Sequence, residues 1–195
     1  MLQQKLAAPG AGVPLPQKLV MRFLIKPFVA ARTPWEVSEK KFRRMNEKIL
    51  SELVGLNEQQ LSAQVLVPPQ RGLEDSSRFW SIKMAIEHLV IVTSEMARAI
   101  KSLSKGEVPH GKADTAAVKP QNQLTVQEIL KKFNKLITSD FEALNSSIEN
   151  RSSKTRFSHP WFGPMTAKEW YWLMALHHGL HLKQIREIKK GLQLN

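Results

Sequence analysis

Residues 170–188 read W-Y-W-L-M-A-L-H-H-G-L-H-L-K-Q-I-R-E-I. His177 and His181 lie four residues apart in this stretch, so a helix would place both imidazoles on one face. Gln184 shares that face, together with the apolar side chains of Trp170, Leu173, Met174, Leu180, Ile185 and Ile188. The pattern predicts an amphipathic helix whose buried stripe contains two histidines, and a buried imidazole needs a hydrogen-bond or metal partner.

Helix starts and helical spacing of apolar residues predict three further helices upstream of this one. Thr-x-x-Glu sequences, which are typical of capped helix starts, begin at Thr33, Thr125 and Thr166. The predicted helices span about residues 33–54, 77–102, 125–149 and 166–191. No stretch alternates as a strand would. We therefore predict an all-α four-helix bundle with one long crossover loop, after the second helix, and an N-terminal arm.

Residues 1–32 differ in composition from the rest. Pro and Gly are frequent up to about residue 18, which favours a flexible leader, and the apolar stretch Leu19–Ala31 would pack on the body as an arm. That stretch is interrupted by charge and is well short of the roughly 20 apolar residues that span a bilayer. We expect a leader and arm at 1–32, a bundle domain at 33–195, a cytoplasmic protein and no membrane partner.

Composition excludes several chemistries. The 195 residues include no cysteine, so disulfides, thiolate metal sites and a cysteine nucleophile are ruled out. The formal charge of +12 suggests attraction to nucleic acid, an anionic membrane surface or an anionic small molecule, the alternative being a generally basic surface. The cations are distributed over several predicted helices and no base-reading motif accompanies them, so nucleic acid is less favoured than a small molecule.

A third histidine lies in the middle of the second helix. His88 has Met84, Ile91 and Val92 on its own strip of the helix, which is therefore apolar. Together with His177 and His181 it could bring three imidazoles into the bundle interior. Three protein ligands and an open position describe a catalytic metal site. The alternatives are an incidental H-x-x-x-H pair and a hydrogen-bonded core histidine.

Three short motifs, taken in order, make the chain resemble the DinB/YfiT-like superfamily of four-helix-bundle metal-binding proteins. They are A-I-E-H-L around His88, the loop H-P-W-F-G-P-M-T-A-K-E-W from His159, and H-H-G-L-H-L-K-Q-I in the last helix. The resemblance covers roughly residues 33–192. It is strongest to an uncharacterised subgroup with an H-P-x-F-G loop.

The resemblance implies that His88, His177 and His181 are metal ligands, and that His178 lies on a different face, exposed or at an interface. It also implies a metal-dependent enzyme that activates a thiol or water for transfer to, or hydrolysis of, a small molecule, and it makes a homodimer plausible. We expect Zn or Ni, although Fe, Mn or Cu would also suit three imidazoles.

Further residues are candidates for the pocket beside the predicted metal site. We expect Gln184 to orient a ligand or to border the pocket. His159, Trp161 and Trp170 are candidates for the pocket wall, although a hydrogen bond within the loop is the alternative role of His159 and core packing that of the two tryptophans. No residue is identified as a catalytic acid or base. The alternative function is a non-catalytic metal-binding or stress-response module with a basic surface that contacts nucleic acid.

Overall fold

A computed structural model describes residues 6–194 of the chain. Its helices are α1 (α-helical Leu15–Val20 continuing as π-helical Met21–Ala30), α2 (Trp35–Leu53), α3 (Glu58–Ser62), α4 (Ile82–Ser104), α5 (Val126–Lys135, π-helical Leu136–Asp140 and Phe141–Ser146) and α6 (Ala167–Gly191). Its strands are β1 (Val65–Leu66), β2 (Phe79–Trp80), β3 (Phe157–His159) and β4 (Gly163–Met165). Helices α2, α4, α5 and α6 form the bundle, which confirms the predicted fold class.

Contacts along α6 give the direction of its neighbours. The rings of Trp35 and Tyr171 lie 4.8 Å apart near the start of α2 and α6, and Glu52 pairs with Lys189 at 2.9 Å near their ends. These two helices are therefore parallel. The end of α5 meets the start of α6, where the Tyr171 hydroxyl donates to Asn145 at 2.7 Å, so α5 runs antiparallel to α6.

The crossover loop, residues 105–125, returns along the whole length of α4. At its far end Lys83 Nζ donates to the Leu124 carbonyl, and the Glu87 carboxylate accepts the amides of Gln121 and Asn122 at 3.0–3.2 Å. Because the loop comes back to the start of α4 before α5 begins, α4 and α5 are parallel. The bundle thus runs up, down, down, up, with the one long crossover that was predicted.

Two apolar clusters fill the bundle, one toward each end. The first contains Phe42, Val92 and Ala175, and the second contains Ile49, Leu89 and Leu182. On each of α2, α4 and α6 the residue of the first cluster and that of the second are separated along the helix, and these separations fall at one level of the bundle. Polar side chains, the core histidines among them, occupy that level.

Local boundaries differ from the sequence-based prediction in places. Thr33 does not cap α2, because its hydroxyl and its amide both donate to the Val29 carbonyl at the end of α1. Helix α4 begins at Ile82, not near Ser77, since Ser81 accepts the amide of Met84 and the preceding residues pair as β2 with β1. The two short antiparallel ladders, β1–β2 and β3–β4, were not predicted.

The predicted flexible leader is also partly ordered. Residues 1–5 lie outside the described residues, but the amides of Gly10 and Gly12 donate to Glu74 at 3.3 and 3.2 Å, and Val13 is buried. Helix α1 begins at Leu15, within the predicted leader, because Pro14 and Pro16 suit the first positions of a helix.

Replacing Glu87 with Ala should lower the free energy of unfolding by about 1–3 kcal/mol, because two loop amides would lose their acceptor at a buried position. Glu95 is on the same helix and pairs with Arg98 in solvent, so Glu95→Ala should cost less than about 0.5 kcal/mol. Urea unfolding of both variants measures the difference. Equal costs would contradict the assigned role of Glu87.

Candidate metal centre

Three imidazoles from two helices meet at the middle level of the bundle. Nε2 of His177 lies 3.3 Å from Nε2 of His88 and 3.1 Å from Nε2 of His181. One ligand atom from each ring lies within 4.8 Å of the others, and these three histidines could hold a metal ion. The i, i+4 spacing on α6 supplies one side of the cluster and α4 supplies the other.

Hydrogen bonds on the opposite ring nitrogens fix two of the rings. Nδ1 of His88 donates to the Val118 carbonyl at 2.7 Å, and Nδ1 of His181 donates to Oε1 of Gln184 at 2.7 Å. Gln184 is oriented in turn, because its Nε2 donates to the Ser77 carbonyl at 2.6 Å. Since a neutral imidazole has one N–H, both Nε2 atoms carry lone pairs directed at the cluster centre. This is the usual arrangement around metal-bound histidine.

All three rings are neutral at pH 7. Burial lowers the pKa of His88 to about 4, and burial followed by the neighbouring histidines lowers the pKa of His177 and His181 well below the ordinary value. Nδ1 of His177 is buried without a hydrogen-bond partner among the described residues. Three neutral imidazoles with converging nitrogens are a suitable donor set for a divalent ion.

His178 is not exposed, contrary to the expectation drawn from the family resemblance. It is fully buried on the other side of α6, where Nδ1 donates to Oδ1 of Asn46 at 2.7 Å and Nε2 accepts from the Thr93 hydroxyl at 2.8 Å. Nδ2 of Asn46 donates to the Phe42 carbonyl at 2.9 Å, which fixes the orientation of that amide. Both nitrogens of His178 are therefore used within the bundle.

A cavity of about 880 Å³ adjoins the three-histidine cluster, and all three rings contribute to its wall. Apolar side chains form much of the remaining wall, among them Val92, Met96, Trp161, Leu173, Leu176 and Leu180. The crossover loop borders the cavity with Val118 and Lys119, so the segment that accepts the hydrogen bond from His88 also encloses the space. A cavity of this size and character suits an apolar small molecule.

His159, Trp161 and Trp170 all border this cavity. Nδ1 of His159 accepts the amides of Trp161 and Phe162 at 3.1 and 3.4 Å, so its proton is on Nε2. Loss of solvation among the surrounding aromatic rings lowers the pKa of His159 to about 3. The ring is therefore neutral at pH 7 and has an Nε2–H that it can donate.

Sequence reasoning missed the groups that loops bring to the site. The Trp80 ring packs edge-on to His88 at 5.1 Å and parallel to His181 at 6.1 Å. Lys119 lies 5.4 Å from the centre of the Trp80 ring and pairs with buried Glu74 at 2.6 Å. Neither periodicity nor spacing marks these residues. Asn46 was detectable, because it interrupts the apolar stripe that Phe42 and Ile49 form on α2.

The metal-free protein should lose stability below about pH 6.5, where the histidines of the unfolded chain become protonated. The folded state does not bind these protons until about pH 4 at His88 and about pH 3 at His159 and His178. The free energy of unfolding should fall by up to about 1.4 kcal/mol per pH unit for each such histidine. Urea unfolding between pH 7 and pH 5 in a chelating buffer measures this slope.

The variant His159→Gln should reduce that slope relative to the wild type, because it removes one buried imidazole whose pKa is lowered. A slope equal to that of the wild type would contradict the depressed pKa of His159.

The comparisons with known proteins give the family and agree with the helix-bundle fold. The family profile of the DinB superfamily matches residues 41–185, which include all three clustered histidines. A solved structure described as "Crystal structure of TT2238, a four-helix bundle protein" superposes with a TM-score of 0.56 at 20% identity, over 78% of this chain and 98% of that one, and supports the fold alone. No curated protein matches the chain. Because the profile covers most of the sequence, the chain belongs to the DinB superfamily.

Proposed function

We propose that the protein is a metal-dependent enzyme in which His88, His177 and His181 hold a divalent metal, Zn or Ni, beside the site of an apolar substrate. The convergence of three Nε2 atoms at the wall of a cavity carries this proposal. A structural metal site is normally closed by a fourth protein ligand. Within residues 6–194 no fourth His, Asp or Glu joins the cluster.

A divalent ion held by three neutral imidazoles lowers the pKa of a water or thiol and polarises a carbonyl, which suits hydrolysis or thiol transfer. The groups around the metal site have separate roles. The Val118 carbonyl and the Gln184 side chain hold His88 and His181 in the required tautomer. The apolar wall excludes water and so strengthens the electrostatic interactions of a bound ligand.

His159 is the residue best suited to orient the substrate. No group within residues 6–194 is hydrogen-bonded to its Nε2–H, and the ring borders the same cavity as the three histidines. It can donate a hydrogen bond to a substrate carbonyl or anion and stays neutral while it does so. The excess of cations on the protein also suits an anionic cosubstrate such as a low-molecular-weight thiol that carries carboxylates.

The purified protein should contain about one metal ion per chain, since each chain has one such cluster within its described residues. In His177→Ala/His181→Ala the metal should be lost, whereas His110→Ala should retain it. Elemental mass spectrometry gives the stoichiometry, and circular dichroism verifies that both variants are helical. If the double variant keeps its metal, or if the wild type neither contains nor takes up metal, the proposal fails.

Gln184→Ala should weaken metal binding about 10–100-fold, because His181 would lose the acceptor that fixes its tautomer. Gln127→Ala, an exposed glutamine on α5, should not change the affinity. Competition with a chromogenic chelator measures the metal affinity of both variants. An unchanged affinity in Gln184→Ala would show that the hydrogen bond to Gln184 does not support the site.

Activity can be tested with the metal-loaded protein on two panels of apolar substrates. One panel contains aryl esters for hydrolysis, and the other contains aryl halides with a low-molecular-weight thiol as cosubstrate. We expect turnover in one panel that falls at least 100-fold in the double histidine variant, about the effect of losing Lewis-acid activation. Metal binding without turnover in either panel would favour the non-catalytic alternative.

A further inference from the structure

The outward side of α1 is an apolar surface that no other part of the described chain covers. Its exposed side chains, which we call the α1 face, are Leu15, Leu19, Val20, Phe23, Leu24, Phe28 and Val29. Phe23, Leu24 and Phe28 remain 61%, 55% and 58% exposed. Only Met21, Ile25 and Ala30 of this helix pack on the core. The larger apolar side of α1 therefore faces solvent, which is the reverse of the usual arrangement.

Helix α1 and the residues that follow it carry cations and no compensating acid. Residues 15–35 contain Lys18, Arg22, Lys26 and Arg32 and no carboxylate. The Arg32 guanidinium lies 5.2 Å from the centre of the Phe28 ring, and Lys26 Nζ donates to the Pro164 carbonyl at 2.8 Å. Within residues 6–194 none of these four cations is in an ion pair with a carboxylate.

We propose that the α1 face binds an anionic lipid surface, with the helix lying in the plane of the membrane interface. Exposed Leu and Phe side chains would enter the boundary between headgroups and acyl chains, and the exposed Arg22 and Arg32 would contact lipid phosphates. This binding does not require a membrane span. No helix within residues 6–194 has the length and hydropathy to cross a bilayer.

Charge selects this occupant over a second copy of the chain. A symmetric dimer through the α1 face would bring the same four cations from each protomer together, with no acid on either α1 to pair with them. An anionic bilayer supplies both the apolar volume and the negative charge. The total formal charge of +12 adds a long-range attraction to the same surface. The proposal departs from the sequence-based expectation that the protein has no membrane partner.

Vesicle flotation of the full chain tests the proposal. We expect the protein to float with vesicles of phosphatidylcholine mixed with phosphatidylglycerol, and much less with phosphatidylcholine alone. Leu24→Ser/Phe28→Ser should reduce the partition coefficient at least about tenfold, because two apolar side chains no longer enter the interface. Arg22→Gln/Arg32→Gln should reduce it about tenfold or more at low salt.

Matched variants control for a general loss of folding or charge. Leu66 and Phe79 are a cross-strand pair on β1 and β2 whose side chains are 45% and 46% exposed. The variant Leu66→Ser/Phe79→Ser therefore removes exposed apolar side chains at a site away from α1. Lys131→Gln/Lys132→Gln removes two exposed cations of α5. Both controls should bind vesicles as the wild type does, and circular dichroism should show that all four variants are folded.

Three outcomes would overturn the proposal. The first is no flotation of the wild type with anionic vesicles, or equal flotation with neutral ones. The second is a loss in the two control variants as large as the loss in the α1 variants. The third is a dimer in analytical ultracentrifugation that Leu24→Ser/Phe28→Ser converts to a monomer, because the α1 face would then be occupied by a second copy.

Discussion

The arrangement of the bundle depends on a polar layer that crosses its interior between two apolar clusters. His88, His177 and His181 occupy one side of this layer, and His178 with its hydrogen-bonded partners occupies the other. A buried imidazole without a partner costs about 1–3 kcal/mol, so each of these rings constrains the elements around it. The constraint accounts for Asn46 and Thr93 on an otherwise apolar interior and for Gln184 on α6.

The crossover loop is as much a part of the site as the helices are. It gives its Val118 carbonyl to His88, and its Lys119 pairs with Glu74, which also accepts the amides of Gly10 and Gly12. Burial alone would raise the pKa of Glu74, but the Lys119 ammonium and the hydroxyl and amide donors hold it below the ordinary value. One carboxylate thus joins three distant segments around the cavity, and a change at Glu74 would reach the ring of His88 through the loop.

Helix periodicity was sufficient to predict the four bundle helices and the faces that carry His88, His177 and His181, and capping residues located two of the helix starts, at Thr125 and Thr166. Spacing alone predicted that His177 and His181 would meet, because i and i+4 positions coincide on any helix. The contribution of Trp80, Lys119 and Glu74 could not be predicted, since it depends on where two irregular loops cross. The prediction that Thr33 caps α2 was wrong for a related reason. Its hydroxyl donates instead to the Val29 carbonyl, which only the path of α1 brings within reach.

Two adjacent histidines on α6 serve different purposes because a helix turns about 100° between consecutive residues. His178 lies among α2, α4 and α5, where Asn46 Oδ1 of α2 accepts from its Nδ1 and the Thr93 hydroxyl of α4 donates to its Nε2, so it has no lone pair left for a metal. His177 faces α4 and the cavity, where its Nε2 meets the lone pairs of Nε2 of His88 and Nε2 of His181. The difference lies in the partners and not in the residue type. Exchanging the two roles would require moving Asn46 and Thr93 as well as the histidines.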